Sequence, residues 1–221
     1  MRTERLELKH KDLLFQRLRA VTDPLSEYSF ANLYLFREHH GYEVLLGDHL
    51  FIRGRTYDGH GFVMPTEPVG RMGLSCLNDA LGQAEFLFPI PESWLPRFPP
   101  EGFEAIFNEG DADYLYAVEK MSTYAGRKLH KKRNLLKQFT ETYRHEALPL
   151  TNDRMGDARL VLEEWKREAG GDPAGTDYGA CREALDRYEE LQLCGGIYYA
   201  EGEPAGFVLG EEVNDETFVL H

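Results

Sequence analysis

Apolar positions along this chain recur with two different periods, and the switches between them lay out the elements. In residues 10–20 (HKDLLFQRLRA), Leu13, Leu14, Phe15 and Leu18 stand at helical spacing, and Asp23-Pro24 stops the run. Ser29 to Phe36 predicts a second short helix, with Ser26 or Ser29 as its cap, closed by Gly41. The period then changes. Tyr42–Leu46 and Leu50–Arg53 flank a Gly47-Asp48 turn as a hairpin, and Gly59–Pro65 adds a third strand. Met72–Leu81 predicts a helix and Glu85–Pro89 a short strand. Ser93–Phe98 is a helical turn ahead of Pro99-Pro100, and Phe103–Asn108 is a last strand.

The second half opens on a helix over residues 125–144, AGRKLHKKRNLLKQFTETYR. At 100° per residue Leu129, Leu136, Phe139 and Tyr143 share one face, and Lys132 falls within that face. A lysine inside an apolar stripe must snorkel, pair with an acid or meet an anionic ligand. A strand follows at Glu146–Leu150, then a helix at Asp153–Glu168 packed through Leu160, Leu162, Trp165 and Ala169. Gly170-Gly171-Asp172-Pro173 ends it. Tyr178–Leu191 places Cys181, Ala184, Leu185 and Tyr188 on one face and Glu183 on the other. Gly195–Ala200 and Ala205–Glu211 form a hairpin about Glu201-Gly202-Glu203-Pro204. After a turn at Asp215-Glu216, Thr217–His221 begins one more strand.

Charge singles out one of these elements. The chain carries −13 overall, yet residues 125–144 hold seven Lys/Arg against Glu141 alone, so the remainder sums to −19. Net solubility does not require such a basic island, and an anionic partner explains it. The competing explanation is a solvated face, or pairing with some of the 38 acids. Cysteines at 76, 181 and 194 are too few and too scattered for a zinc site or a disulfide framework, and the histidines show no metal-binding spacing. No metal site is expected. No apolar run approaches 18 residues, so a soluble, cytoplasmic protein without a membrane span is expected, and a lipid acceptor loses weight.

Asp113-Tyr114-Leu115-Tyr116 followed by Gly126-Arg127-Lys128-Leu129-His130-Lys131-Lys132-Arg133-Asn134 resembles the DUF2156 family, which is similar to the C-terminal domain of phosphatidylglycerol lysyltransferases. Cys181-x-Glu183, the Leu-x-Leu-x-Gly-Gly run at 191–196, Ala205-Gly206-Phe207, Leu209-Gly210-Glu211, Asn214-Asp215-Glu216-Thr217 and His221 extend the resemblance. It implies an α+β fold of two tandem acetyltransferase-like (GNAT) lobes, with mixed, mainly antiparallel sheets flanked by helices. The lobes are expected at 1–110 and 111–221, the second including a basic helix at 125–141. Helices, an antiparallel meander and a helical crossover in the first hundred residues agree with such a lobe. The second lacks the later elements of the first, so the chain is expected to be a fragment or a truncated frame.

The resemblance also implies aminoacyl transfer from charged tRNA. Arg127, Lys128, His130, Lys131, Arg133, Asn134 and Asn214 become candidates for holding an anionic donor. Lys132, Glu183, His221 and Tyr116 become candidates for catalysis: a desolvated cation near the reacting carbonyl, a base, and a phenolic donor. Beyond the acyl donor itself, aminoacyl-tRNA or acyl-CoA, no cofactor is expected. The acceptor, a small molecule or a peptide, stays open. An acetyl-CoA-dependent N-acyltransferase is the second enzyme reading. The loop Glu67-Pro68-Val69-Gly70-Arg71-Met72-Gly73 lacks the tight glycine spacing of a pyrophosphate cradle and reads as structural. The third reading is a non-catalytic module that grips RNA or another polyanion. A closed cleft would favour the enzymes, and an open, solvated basic face the binder.

Overall fold

In a computed structural model that describes residues 2–170 and 176–221, the chain is α+β, with two sheets flanked by helices. It forms two compact units, Met1–Ala112 with Glu211–Val219, and Asp113–Gly210 with Leu220–His221. Among the described residues no helix is long and apolar enough to cross a membrane.

The first unit holds a five-stranded sheet of β1 (Arg2–Arg5), β2 (Glu43–Leu46), β3 (Phe51–Arg55), β4 (Gly61–Pro65) and β5 (Phe86–Leu87), in that order. Pairing is antiparallel except between β4 and β5, which lie parallel across helix α4 (Leu74–Leu81). A parallel pair needs a crossover, and the helix supplies it. The edge strand β1 has no apolar alternation, which is why periodicity does not reveal it. Conversely, the strand expected at Phe103–Asn108 does not form, and that segment is irregular and almost wholly exposed.

Helix α1 (Lys11–Arg19) buries Leu14 and Leu18, and α2 (Phe30–Leu35) buries Phe30, Ala31 and Leu33. Val44, Phe51, Ile52 and Val63 supply fully buried sheet positions in the same unit. The short α3 (Arg37–His40) ends on Gly41 at φ +59°, a conformation glycine adopts without strain. Ser29 caps α2 by accepting from the Asn32 N–H at 3.0 Å, and its hydroxyl also donates to the buried Glu211 carboxylate. Arg19 donates to the Glu212 carbonyl and the Asp215 carboxylate, each at 3.1 Å. Glu211–Val219 is thereby held within the first unit.

In the second unit, the short α5 (Val118–Thr123) and α6 (His130–Thr142) precede the sheet, and α7 (Met155–Ala169) packs against α8 (Tyr178–Asp186). The sheet runs β6 (His145–Pro149), β7 (Cys194–Ala200), β8 (Glu203–Glu212) and β9 (Phe218–Leu220). Of the positions expected to pack α7, Leu160, Trp165 and Ala169 are exposed. The buried stripe is Met155, Ala158 and Leu162, at the i, i+3, i+7 spacing of one helix face. Gly170 ends the helix at φ +61°, while the expected stop at Gly171-Asp172-Pro173 lies outside the described residues. Helix α8 stops at Asp186 rather than Leu191, and Leu191 is buried beyond it.

A Cβ built on Gly195 would stand 2.2 Å from the Val208 carbonyl oxygen, whereas one on Gly206 meets nothing within 4 Å. Gly195→Ala should therefore cost about 3 kcal/mol or more. Gly206→Ala should stay within about 0.5 kcal/mol. Urea midpoints of the two variants check this, and equal midpoints would refute the tight β7–β8 approach. His60 Nδ1 lies 2.8 Å from the Glu85 carboxylate, which also accepts from the Gly61 N–H at 3.0 Å. The Glu85 hydrogen bond raises the His60 pKa above its ordinary 6.5. The charged pair stabilises the fold below pH 6.5, and that contribution is lost as pH rises through the folded pKa. An NMR titration should place His60 above 6.5 and Glu85→Gln should bring it back. An unchanged midpoint in the variant would contradict the pairing.

Candidate functional site: the basic helix and its approach

The basic segment folds differently at its two ends. Tyr124 and Gly126 take positive φ (48° and 94°), so residues 125–129 are turns and α6 begins only at His130. Residues 125–129 thus lie outside the helix expected from 125. At a positive-φ pair the chain cannot keep helical geometry, a backbone effect invisible in side-chain periodicity. Leu129 is the N-cap and makes no side-chain cap bond. His130, Lys131, Lys132 and Arg133 follow immediately, with Arg127 and Lys128 in the turn before. Cations are thus gathered at the helix end whose own dipole is positive.

All of these side chains are exposed, and pairing is scarce. Lys137 meets Glu141 at 3.6 Å, and Arg133 donates to the Tyr124 carbonyl at 2.6 Å. The side chains of Arg127, Lys128, Lys131 and Lys132 have no hydrogen-bond or ion-pair partner among the described residues. Asn134 contacts the His130 ring at 3.5 Å. The apolar side of α6 is open as well: Leu136 is 48% and Phe139 39% exposed. Lys132 therefore sits in a solvated stripe.

The other candidates lie on different elements. Tyr116 lies half-exposed in the extended segment before α5, and no hydrogen bond or ion pair joins it to Lys132. Glu183, on α8, pairs with Arg187 at 3.5 Å. His221 stands at the end of the chain and its backbone N–H donates to the Leu209 carbonyl at 3.0 Å. Asn214 belongs to the first unit, in the turn between β8 and β9, where its Oδ1 accepts from the Glu216 N–H at 3.0 Å. Its Nδ2 is the one buried side-chain polar atom without a partner among the described residues. Leaving a buried donor unpaired costs about 1–3 kcal/mol.

The loop from Glu67 to Gly73 is occupied by its own contacts. Glu67 meets Arg17 at 3.2 Å and His49 at 3.0 Å, Val69 is buried, and Gly73 caps the crossover helix α4. A carboxylate within that loop opposes a pyrophosphate. Among the described residues no group of three or more His, Cys, Asp or Glu could hold a metal ion.

Sequence reasoning missed two features. The buried Ser29–Glu211 contact joins residues 182 apart in sequence, so only its N-cap half was legible. The pairing of Glu146 with Tyr199 across β6 and β7 follows from strand register. The sequence holds no signal for either beyond residue type.

Residues 19–221 match the family model for the C-terminal region of phosphatidylglycerol lysyltransferase, and the chain belongs to that family. A crystal structure of a conserved protein of unknown function from Bacteroides thetaiotaomicron VPI-5482 superposes with a TM-score of 0.77 at 24% identity. The match covers 99% of this chain and 78% of that one. At that identity the likeness speaks for the fold alone. No curated protein matches the chain.

The turn at 125–129 is exposed and carries Arg127 and Lys128, while the cations from 131 onward are helical. Limited trypsin digestion should therefore cut first after Arg127 or Lys128. A first cut within α6 or in the first unit, read by mass spectrometry, would show that the helix boundary is misplaced.

Proposed function

We propose that this member of the phosphatidylglycerol lysyltransferase C-terminal family is an acyltransferase-type protein. It would take an aminoacyl or acyl group from a large anionic donor such as aminoacyl-tRNA and hold that donor at the N-terminal end of α6. The tandem GNAT-like arrangement, with lobes at 1–110 and 111–221, is part of this proposal. Its supports are the family membership and the two mixed or antiparallel sheets with flanking helices.

The observation that carries the donor assignment is electrostatic. Among the described residues Arg127, Lys128, Lys131 and Lys132 lack carboxylate partners, on a chain with 38 acids, and they crowd the positive end of a helix dipole. That placement costs energy in the unbound protein, and phosphates at the helix N-terminus relieve it. Arg133 and Asn134 extend the patch along α6, while Lys132 would lie closest to the reacting ester. Glu183 and His221 remain the proposed bases, Tyr116 the proposed donor, and Asn214 a donor-binding group through its unpaired Nδ2. The acceptor would be a small molecule or a peptide.

The open, solvated face of α6 also favours a second reading, a non-catalytic module that grips RNA or another polyanion through residues 127–137. An acetyl-CoA donor has less support, since Glu67 lies in the first unit's glycine-containing loop.

Binding of charged and uncharged tRNA across a salt series separates these readings. Contacts to three or four phosphates give a log–log slope of about −3. Lys131→Ala/Lys132→Ala should flatten it by about 1.5. Preference for charged tRNA supports aminoacyl transfer, equal binding supports the RNA module, and no binding to either removes tRNA as the donor.

A further inference from the structure

Arg144 and Glu146 are two residues apart where the chain enters β6, so both side chains fall on one face, their Cα atoms about 6.5–7 Å apart. With Leu148, Tyr199 and Gly202 they line a cleft of about 190 Å³ in the second unit. A guanidinium and a carboxylate this close would ordinarily pair. Here neither side chain has an ion-pair or hydrogen-bond partner among the described residues. Arg144 bonds through its backbone: its N–H donates to Glu201 Oε1 at 2.7 Å and its carbonyl accepts from the Glu201 N–H at 2.8 Å.

The cleft's geometry comes from the hairpin. Glu146 lies directly opposite Tyr199 in the β6–β7 register, and Leu148 opposite Ile197. The Tyr199 hydroxyl donates to Asp157 Oδ2 on α7 at 2.6 Å, which fixes the ring and raises the phenol's pKa. Its oxygen keeps lone pairs for an incoming donor. At the other end, Gly202 takes φ +89°, and a Cβ there would stand 3.6 Å from Arg144 Nη2. The turn thus borders the guanidinium.

We propose that this cleft binds a free α-amino acid, its carboxylate on Arg144 and its ammonium between Glu146 and the Tyr199 oxygen. A simple anion would leave Glu146 facing it, and a simple cation would leave Arg144 facing it. A zwitterion satisfies both. Size points the same way, because the volume falls below the roughly 300 Å³ at which pockets for drug-sized ligands begin. Leu148 offers the side chain a small apolar contact. The proposal does not rest on the donor bound at α6, and holds whether that helix grips tRNA or another polyanion.

The test is an NMR titration of the full chain with glycine, alanine, lysine and glutamate. Saturable shifts are expected at residues 144–148 and 199–202, with a Kd on the order of 1 mM. Arg144→Gln and Glu146→Gln, both surface changes of similar size, should each weaken binding about tenfold, and Tyr199→Phe by less. N-acetylglycine and glycinamide, each lacking one charge, should bind at least about tenfold more weakly than glycine. Absence of saturable shifts with every amino acid would overturn the proposal. Equal binding of N-acetylglycine would overturn it too, since the cleft would then be a simple anion site. Unchanged affinity in both charge variants would place binding elsewhere and overturn it likewise. Because Lys131→Ala/Lys132→Ala leaves the cleft intact, its amino-acid binding should match wild type, so failure here and failure of the tRNA reading are told apart.

Discussion

The close approach of β7 to β8 at Gly195 is the constraint on which the second unit depends. With a Cβ position 2.2 Å from the Val208 carbonyl oxygen, only glycine lets the two backbones meet. The register that follows sets Gly195 against Leu209 and Ile197 against Phe207, and turns the fully buried Ile197 into the core. Because β7 also pairs with β6, the same register brings Glu146 opposite Tyr199. A slip of one residue would exchange the faces of every strand position and dissolve both the core contact and the cleft.

Electrostatics divides the functional surface of that unit into two kinds of site. At the start of α6 the charges are of one sign and crowd the positive helix end, which suits an extended polyanion with many phosphates. At the start of β6 a cation and an anion stand unpaired in one small cleft, which suits a compact ligand carrying both signs. The two proposed sites thus differ in the size and charge of ligand they suit, and each stands on its own geometry.

In the first unit, Ser29 does two things with one hydroxyl. It accepts from the Asn32 N–H as the cap of α2 and donates to the carboxylate of Glu211. A buried carboxylate needs such a donor to remain tolerable away from water. Together with Arg19 on Glu212 and Asp215, this contact draws Glu211–Val219 into the first unit, although the strands on either side of it belong to the second sheet. Asn214 rides on that segment and so belongs to the first unit.

Local signals carried much of the architecture. The hairpins at 42–55 and 194–212, the crossover helix at 74–81 and a serine cap on α2, narrowed to Ser26 or Ser29, were legible because turn residues, period-two alternation and N-cap chemistry act over a few positions. The basic island was legible because charge can be counted. Edge strand β1, the irregular 103–108 segment and the start of α6 at 130 were not. A polar edge has no periodicity, an apolar run does not form a strand without a pairing partner, and positive φ at Tyr124 and Gly126 overrides side-chain spacing. Sequence by itself therefore determined which elements could form and where the cations lie. Only tertiary structure decided which tyrosine stands against Glu146 and which glycine admits no side chain. Those are meetings between residues more than ten positions apart, set by strand register rather than by neighbours in sequence.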